Sequence, residues 1–359
     1  MKGKIGMEYL ILAINPGSTS TKIALYKNEE ELFNESITHP QEEIEQFESI
    51  NRQAPMRKKT VLETLKKYGY RPEELSVVMG RGGLLPPLKV GGYTVNKNML
   101  DIIYDEKIPQ HASNLGAVLA FDIAKTVGIN AYIYDAESAC EFPPVAKITG
   151  MKEVERRSFY HVLNCRAVSM RYAQSIGKTY GEVNLLVTHL GGGITVGAHC
   201  RGKITDSLAD DNGPFAPERA GSLPLLDIID MCYSGEYTKK EMKNKVRGMG
   251  GLRSLLGTSD GREIRKMIEA GDKRAILVME AQAYQIAKGI ALMSPALQGD
   301  CDAIIITGGL AFNTFLVDDV KKYIDWLCEV VVMPGEYEME ALALGGLRIL
   351  RNQEEVYQL

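Results

Sequence analysis

The fold class the sequence predicts is α/β: two units that repeat one order of elements, each a mixed β-sheet flanked by helices, with a cleft between them. Three observations predict it. Residues 9–26 hold two apolar runs, Leu10 to Ile14 and Ile23 to Tyr26, joined by Asn15-Pro-Gly-Ser-Thr-Ser-Thr-Lys22. This reads as two strands whose turn carries hydroxyls and backbone amides. The pattern returns at 183–200, where an apolar strand meets Gly191-Gly192-Gly193 and a second strand follows. It returns again where Ala303–Thr307 runs into Gly308-Gly309. Glycine lets a backbone approach a ligand closely, and successive amides form an anion-binding concavity. Three strands that each end in such a turn point to a nucleotide held between two similar domains.

The elements follow in order. After the hairpin, Glu31–Ile37 reads as an edge strand. Residues 41–68 carry a helical period through Ile44, Phe47, Ile50, Val61, Leu62 and Leu65, with Pro55 expected as a break or kink. Leu75–Met79 is a short buried strand that opens at Gly80 into a loop reaching Pro87. Tyr93–Asn96 reads as a strand, 114–127 as an amphipathic helix, and Ala131–Tyr134 as a strand ending at Asp135. With the Tyr93–Asn96 strand taken as an insertion before His111, the first unit is thus β-β-β-α-β-α-β. Residues 136–182 connect, with a helix at about 161–177. The second unit has strands at 183–190, 194–200 and 203–208, then helical segments at about 223–232, 238–247 and 260–296, the stretch from Lys273 to Met293 being the longest. Strand 303–307, helix 313–326, strand 329–333 and a closing helix 337–351 complete it. The expected domains are 1–148 joined by the C-terminal helix of about 338–359, and 149–337 between them.

Composition narrows the function classes. The chain has 359 residues, 45% of them hydrophobic and 25% charged, enough for two domains with ordinary cores. A net charge of −4 gives no basic excess for nucleic acid. The six Cys stand singly without Cys-x-x-Cys pairs and read as small buried hydrophobes in a reducing compartment. The apolar run after Lys2 and Lys4 is short and broken by Pro16-Gly17, so it fits a core strand better than a signal peptide. Met7 offers an alternative start, with residues 1–6 as a disposable tail. No run reaches the roughly 20 apolar residues that span a bilayer. The expectation is a cytoplasmic protein.

Asn15–Lys22, His189-Leu-Gly-Gly-Gly193 and Thr307-Gly-Gly-Leu-Ala-Phe-Asn313 together resemble the acetokinase family, over nearly the whole chain. Within the family, Gly80-Arg-Gly-Gly-Leu-Leu-Pro86 and Asp211-Asn-Gly-Pro-Phe-Ala-Pro-Glu-Arg219 are similar to the butyrate kinases. The resemblance implies two duplicated ribonuclease-H-like domains of the actin, sugar-kinase and Hsp70 type. It implies reversible Mg²⁺-dependent phosphoryl exchange between ATP/ADP and a short-chain carboxylate, and a homodimer or higher homo-oligomer. It also assigns residues. Asn15 lies in the Mg²⁺ and γ-phosphate region, and Ser18, Ser20 and Lys22 line the first phosphate loop. Arg81 sits near the position of the family arginine that meets the substrate carboxylate, displaced from it by three positions. His111 contacts the transferring phosphoryl, Asp135 orients the catalytic Arg219, and His161 stabilises the transition state. His189 stands beside the second phosphate loop, Gly191, Gly192 and Gly193. Gly308, Gly309 and Asn313 border the adenosine. One of Glu336, Glu338 and Glu340 serves Mg²⁺, and Glu338 is the choice.

The residues read alone agree with this chemistry. A carboxylate is already ionised at neutral pH, so its phosphorylation needs cations and hydrogen-bond donors more than a base. Arg81, Arg219 and Lys22 supply charge, and His111 and His161 are read as donors. Plain structural readings stand beside these: His39 and His199 as core histidines, Asp135 as a turn former, Arg219 as a surface arginine, and the glutamates as helix-start residues. A sugar kinase of this fold, with Asp135 or Asp206 as base, is one alternative; a nucleotide-driven module like Hsp70 or actin is another. The resemblance also implies that Gly80-Arg81-Gly82-Gly83 stands where a Val-Val-His stretch borders the acyl group in acetate kinases; glycines there lack side-chain volume, so the acyl pocket is expected to admit three- to five-carbon acids.

Overall fold

The computed structural model describes residues 7–105 and 110–359. The leading segment 1–6 and Ile108-Pro109 ahead of His111 lie outside the described residues. The chain divides into two compact units, residues 1–140 with 337–359, and residues 141–336. In chain order the strands are β1 (Leu10–Pro16), β2 (Ser20–Lys27), β3 (Glu30–Thr38), β4 (Val77–Arg81), β5 (Gly92–Thr94), β6 (Ala131–Tyr134), β7 (Asn184–Leu190), β8 (Ile194–Cys200), β9 (Lys203–Leu208), β10 (Ala303–Gly308), β11 (Val330–Pro334) and β12 (Val356–Tyr357).

The first unit builds one mixed sheet in the order β12-β5-β6-β4-β1-β2-β3. β1 pairs antiparallel with β2 and parallel with β4, and β4 pairs parallel with β6. The register sets Asn15 opposite Lys22, Ile14 opposite Gly80, and Arg81 opposite Tyr134. The carboxyl ends of three parallel strands therefore finish together at Asn15, Arg81 and Asp135, which is where open α/β sheets take their ligands. Helices Ala54–Lys67 and Leu115–Val127 seal an apolar core that includes Leu12, Ile14, Val78, Leu119 and Ile123. The closing helix Glu338–Leu350 packs so tightly that a Cβ on Gly345 would lie 2.9 Å from the Tyr134 ring. One on Gly346 would lie 2.8 Å from the Met79 side chain.

The second unit's sheet runs β11-β10-β7-β8-β9. β7 and β10 are parallel, with His189 opposite Thr307, so both glycine turns leave the sheet at one end. The core of this unit gathers Leu186, Ile194, Ile286, Ile290, Ile304 and Ile306. No helix among the described residues is long and apolar enough to cross a membrane.

Local sequence accounts for most boundaries, and several expectations need correction. The helical period of 41–68 does break into two halves, Gln41–Ile44 and Ala54–Lys67, with a short turn at Ile50–Gln53; Pro55 sits in the first turn of the second, where its missing N–H costs nothing. The helical stretch 260–296 divides into Gly261–Glu269 and Lys273–Met293, the second matching the longest stretch expected within it. Gly271 takes a left-handed φ of +79° between them, and Asp272 caps the second through the Arg274 and Ala275 amides. Helices Lys97–Tyr104 and Gly251–Leu256 were not expected. Strand β4 extends through Gly80 and Arg81, which read as loop. The cysteines are not all solitary: the Cys301 and Cys328 sulfurs lie 2.7 Å apart, and Cys232 is exposed.

Candidate active site

In the first unit, Asn15 is buried and donates through Nδ2 to Glu338 Oε2 at 2.6 Å. Arg81 reaches the same pair, with Nη1 3.3 Å from Asn15 Oδ1 and 3.2 Å from Glu338 Oε2. Its Nη2 meets Glu137 at 2.6 Å. Of the three candidate glutamates, Glu338 is the one beside Asn15; it opens the closing helix and is buried, whereas Glu336 is exposed. Glu137 is a member of this cluster that the sequence reading did not single out. Two carboxylates thus share one guanidinium, with Lys22 on the neighbouring strand.

The remaining first-unit candidates are held by local bonds. Ser18 and Ser20 lie on the hairpin turn, closed by Gly17 N–H donating to the Ser20 carbonyl at 2.8 Å. Asp135 has a left-handed φ of +46° and accepts the Gly91 amide at 2.8 Å. His111 caps the short helical turn Ala112–Asn114, and its Nδ1 lies 2.7 Å from Ser113 Oγ.

Glycines 80, 82 and 83 are required by close approach, not by an empty pocket. A Cβ on Gly82 would lie 2.6 Å from Ala136 Cα and Cβ, and one on Gly83 2.2 Å from Asn114 Oδ1. On Gly80 it would lie 2.1 Å from the Gly116 carbonyl. This corrects the expectation that these glycines open room for a longer acid. Gly82→Val is therefore expected to lower the melting temperature by several degrees or prevent folding, since overpacking costs about 1–3 kcal/mol or more. A folded Gly82→Val enzyme with wild-type stability and an altered chain-length profile would contradict this.

In the second unit, His161 begins helix Val162–Ser175 and stacks on His189, ring centroids 3.9 Å apart and planes within 8°. Thr195 Oγ1 lies 2.9 Å from His161 Nδ1. Asn164, one turn into that helix, meets His189 Nδ1 at 3.0 Å and Thr307 Oγ1 at 3.3 Å. A side chain on Gly191 would collide with His189, its Cβ 2.8 Å from Nε2. Gly308 has φ +93° and would place a Cβ 2.4 Å from the Leu190 carbonyl. Asn313 caps helix Thr314–Ile324 through the Leu316 amide at 3.3 Å.

Arg219 is anchored by Asp210, its Nε 3.1 Å from Oδ2. Arg247 grips the other oxygen of the same buried carboxylate and lies over the Phe159 ring at 4.7 Å. Gly193 allows this approach, since its Cβ would lie 3.3 Å from Asp210 Cβ. The second phosphate-loop candidate, the arginine pair and the His161 segment are therefore joined through Asp210. Neither Asp210 nor Arg247 was picked out from sequence. Asp210 immediately precedes the Asp211–Arg219 motif, which was the available signal.

His199 is structural. It is fully buried between Tyr160 OH at 3.0 Å, Tyr180 OH at 2.8 Å and Ser169 Oγ at 3.1 Å. Burial, aided by the Arg166 charge, pulls its pKa from 6.5 down to about 3. Below about pH 6.5 the unfolded chain takes up a proton that the folded one refuses, so stability falls with pH through that window down to about 3. The slope is on the order of 1 kcal/mol per pH unit. Urea titrations at pH 7 and pH 5 are expected to show the wild type losing about 2 kcal/mol more than His199→Gln. Equal losses would contradict the assignment.

The profile of the acetokinase family matches residues 96–328, well over half of the chain. Among solved structures, the chain is similar to the acetate kinase of Porphyromonas gingivalis at 18% identity, covering 95% of this chain and 99% of that one, with a TM-score of 0.79. A propionate kinase from Francisella tularensis subsp. tularensis SCHU S4 matches at 17% identity, covering 94% and 98%, with a TM-score of 0.73. A ROK family protein from Streptococcus pneumoniae TIGR4 in complex with sucrose is more distant, at 14% identity over 96% and 100% with a TM-score of 0.52. At these identities the structural likenesses establish the fold.

Proposed function

We propose, since the chain belongs to the acetokinase family, that it transfers a phosphoryl group reversibly between ATP and a four-carbon carboxylate, with butyrate as the acceptor. The family match carries the carboxylate-kinase reading. The finer choice of butyrate rests on Gly80–Pro86 and Asp211–Arg219, the stretches similar to butyrate kinases.

In this reading Arg219 neutralises charge on the transferring phosphoryl group. Asp210 holds its Nε edge, and Nη2 is not drawn on by that bond or by the 3.3 Å bond from Nη1 to the Glu218 carbonyl. A planar fork fixed on one edge presents the other to phosphoryl oxygens without reorganisation. His161, its ring plane set by Thr195 and by the stack on His189, donates to the same oxygens. Arg81 and Lys22 attract the anionic substrates. No residue needs to remove a proton, because the attacking carboxylate is ionised.

Asn15 and Glu338 fit Mg²⁺ in kind. They offer hard oxygens, and their cluster has two carboxylates to one guanidinium. Among the described residues no three His, Cys, Asp or Glu side chains gather into a cage. That suits an ion which takes one or two protein oxygens and otherwise water and phosphate. When bound, Mg²⁺ would supply charge neutralisation for the phosphates.

The sugar-kinase alternative needs a carboxylate base. Asp206 is held by both terminal nitrogens of Arg156, at 2.7 and 3.1 Å, and Asp135 is engaged by Gly91, so neither is poised as one. Trapping with hydroxylamine tests the proposal. Butyrate with Mg-ATP is expected to yield the hydroxamate, with no ATP consumption above background on glucose. Glucose phosphorylation, or slow ATP turnover indifferent to any short carboxylate, would overturn it.

A further inference from the structure

Arg57 is fully buried in the first turn of helix Ala54–Lys67. Its five hydrogen bonds all go to uncharged oxygens. Nη1 donates to the Ser20 carbonyl at 2.7 Å and to Thr21 Oγ1 at 3.1 Å, and Nη2 to the Ser18 carbonyl at 3.1 Å. Nε and Nη2 both donate to Gln53 Oε1, at 3.1 and 2.9 Å. No carboxylate among the described residues pairs with it. Burial of an uncompensated charge costs several kcal/mol, and here it draws the guanidinium pKa from 12.5 down to about 10.

The bonds fall on the hairpin turn. Ser18 and Ser20 give their carbonyls to Arg57, and Thr19 gives its carbonyl to the His39 amide at 2.8 Å. His39 is itself fixed by Thr21 Oγ1 at 2.8 Å from Nε2. In a trans peptide the N–H points opposite to the preceding carbonyl. Accepting the Ser18 and Thr19 carbonyls on the protein side therefore turns the Thr19 and Ser20 amides the other way. Drawing the turn's negative oxygens inward, aiming its amides outward and leaving a cation behind it are the three things an anion-binding loop needs.

We infer that Arg57 is a positioning residue that orients the Ser18–Ser20 turn toward the polyphosphate of a nucleoside triphosphate, its unneutralised charge raising the turn's affinity for that anion. The inference rests on the proposed kinase reading, in which this hairpin is the first phosphate loop. It assigns Gln53 a role as well: a neutral acceptor that fixes the fork without cancelling its charge.

Gln53→Glu separates the electrostatic role from a structural one. It keeps the acceptor and the fork but adds a carboxylate beside Arg57. By calorimetric titration, the Kd for Mg-ATP is expected to rise about tenfold, with a melting temperature equal to or above wild type and a butyrate KM within about twofold. An unchanged Kd in folded Gln53→Glu would overturn the inference, because a purely structural arginine tolerates a closer ion pair. Should Gln53→Glu fail to fold, Arg57→Lys serves: a point charge cannot hold two carbonyls and Gln53 together, so the Kd is again expected to rise about tenfold. A wild-type Kd in that variant would overturn the inference. A wild-type protein that binds no ATP would overturn the kinase reading itself, a result distinct from wild-type binding that both variants leave untouched.

Discussion

Arg219→Ala is expected to lower kcat about a thousandfold or more while the Kd for Mg-ATP changes little. Phosphoryl transfer is governed by charge placement, and arginines that meet the transferring group are worth about 10³–10⁵ in rate. Arg219 has the required setting. Its Nε is pinned to buried Asp210, which is shared with Arg247 and lies against Gly193. Removing it also leaves Asp210 with one arginine, so the melting temperature should be followed alongside activity. Arg219→Lys is expected to recover little, since a single ammonium cannot hold Asp210 and a phosphoryl oxygen together. Single-turnover rates with saturating Mg-ATP and butyrate check this. A rate within tenfold of wild type would remove Arg219 from the mechanism.

Glu338→Gln is expected to raise the Mg²⁺ concentration for half-maximal rate by about 10–100-fold, the range for loss of a metal-linked group. The carboxamide keeps an oxygen for the Asn15 Nδ2 bond, and Glu137 still pairs with Arg81, so the fold should survive. Glu336→Gln changes an exposed side chain and should leave the Mg²⁺ dependence within about threefold; Glu340→Gln should do the same. Magnesium titrations of the three variants decide among them. An effect confined to Glu336→Gln or Glu340→Gln would mean that the carboxylate beside Asn15 is not the one that serves the ion.

Where the sequence carried a local signal, it was legible. The hairpin of β1 and β2 and the glycine turns after β7 and β10 stand where alternating apolar runs and small residues put them. The long helix Lys273–Met293 follows its period, but its separation from Gly261–Glu269 depended on reading Gly271-Asp272 as a stop and a cap. Helix Lys97–Tyr104 was missed because its one clear start signal, Asn96 accepting the Met99 amide, was absorbed into the preceding strand. The site was less legible wherever a residue acts through a contact distant in sequence. Arg57 and Gln53 look like one polar face of an ordinary helix start; only the folded hairpin shows which carbonyls they hold. Gly82 reads as missing volume until Ala136 is seen to fill it. Asp210 beside Asp211 gives no hint that one is buried under two arginines and the other exposed.

The central claim is direct phosphoryl exchange at a carboxyl group, and the reverse reaction tests it most directly. Purified protein given synthetic butyryl phosphate, ADP and Mg²⁺ is expected to form ATP stoichiometrically with release of butyrate. The kcat/KM for butyryl phosphate should exceed that for acetyl phosphate by about tenfold, the scale on which pockets discriminate by one or two methylenes. Butyryl phosphate consumed only at its spontaneous hydrolysis rate, with no ATP formed, would contradict the account.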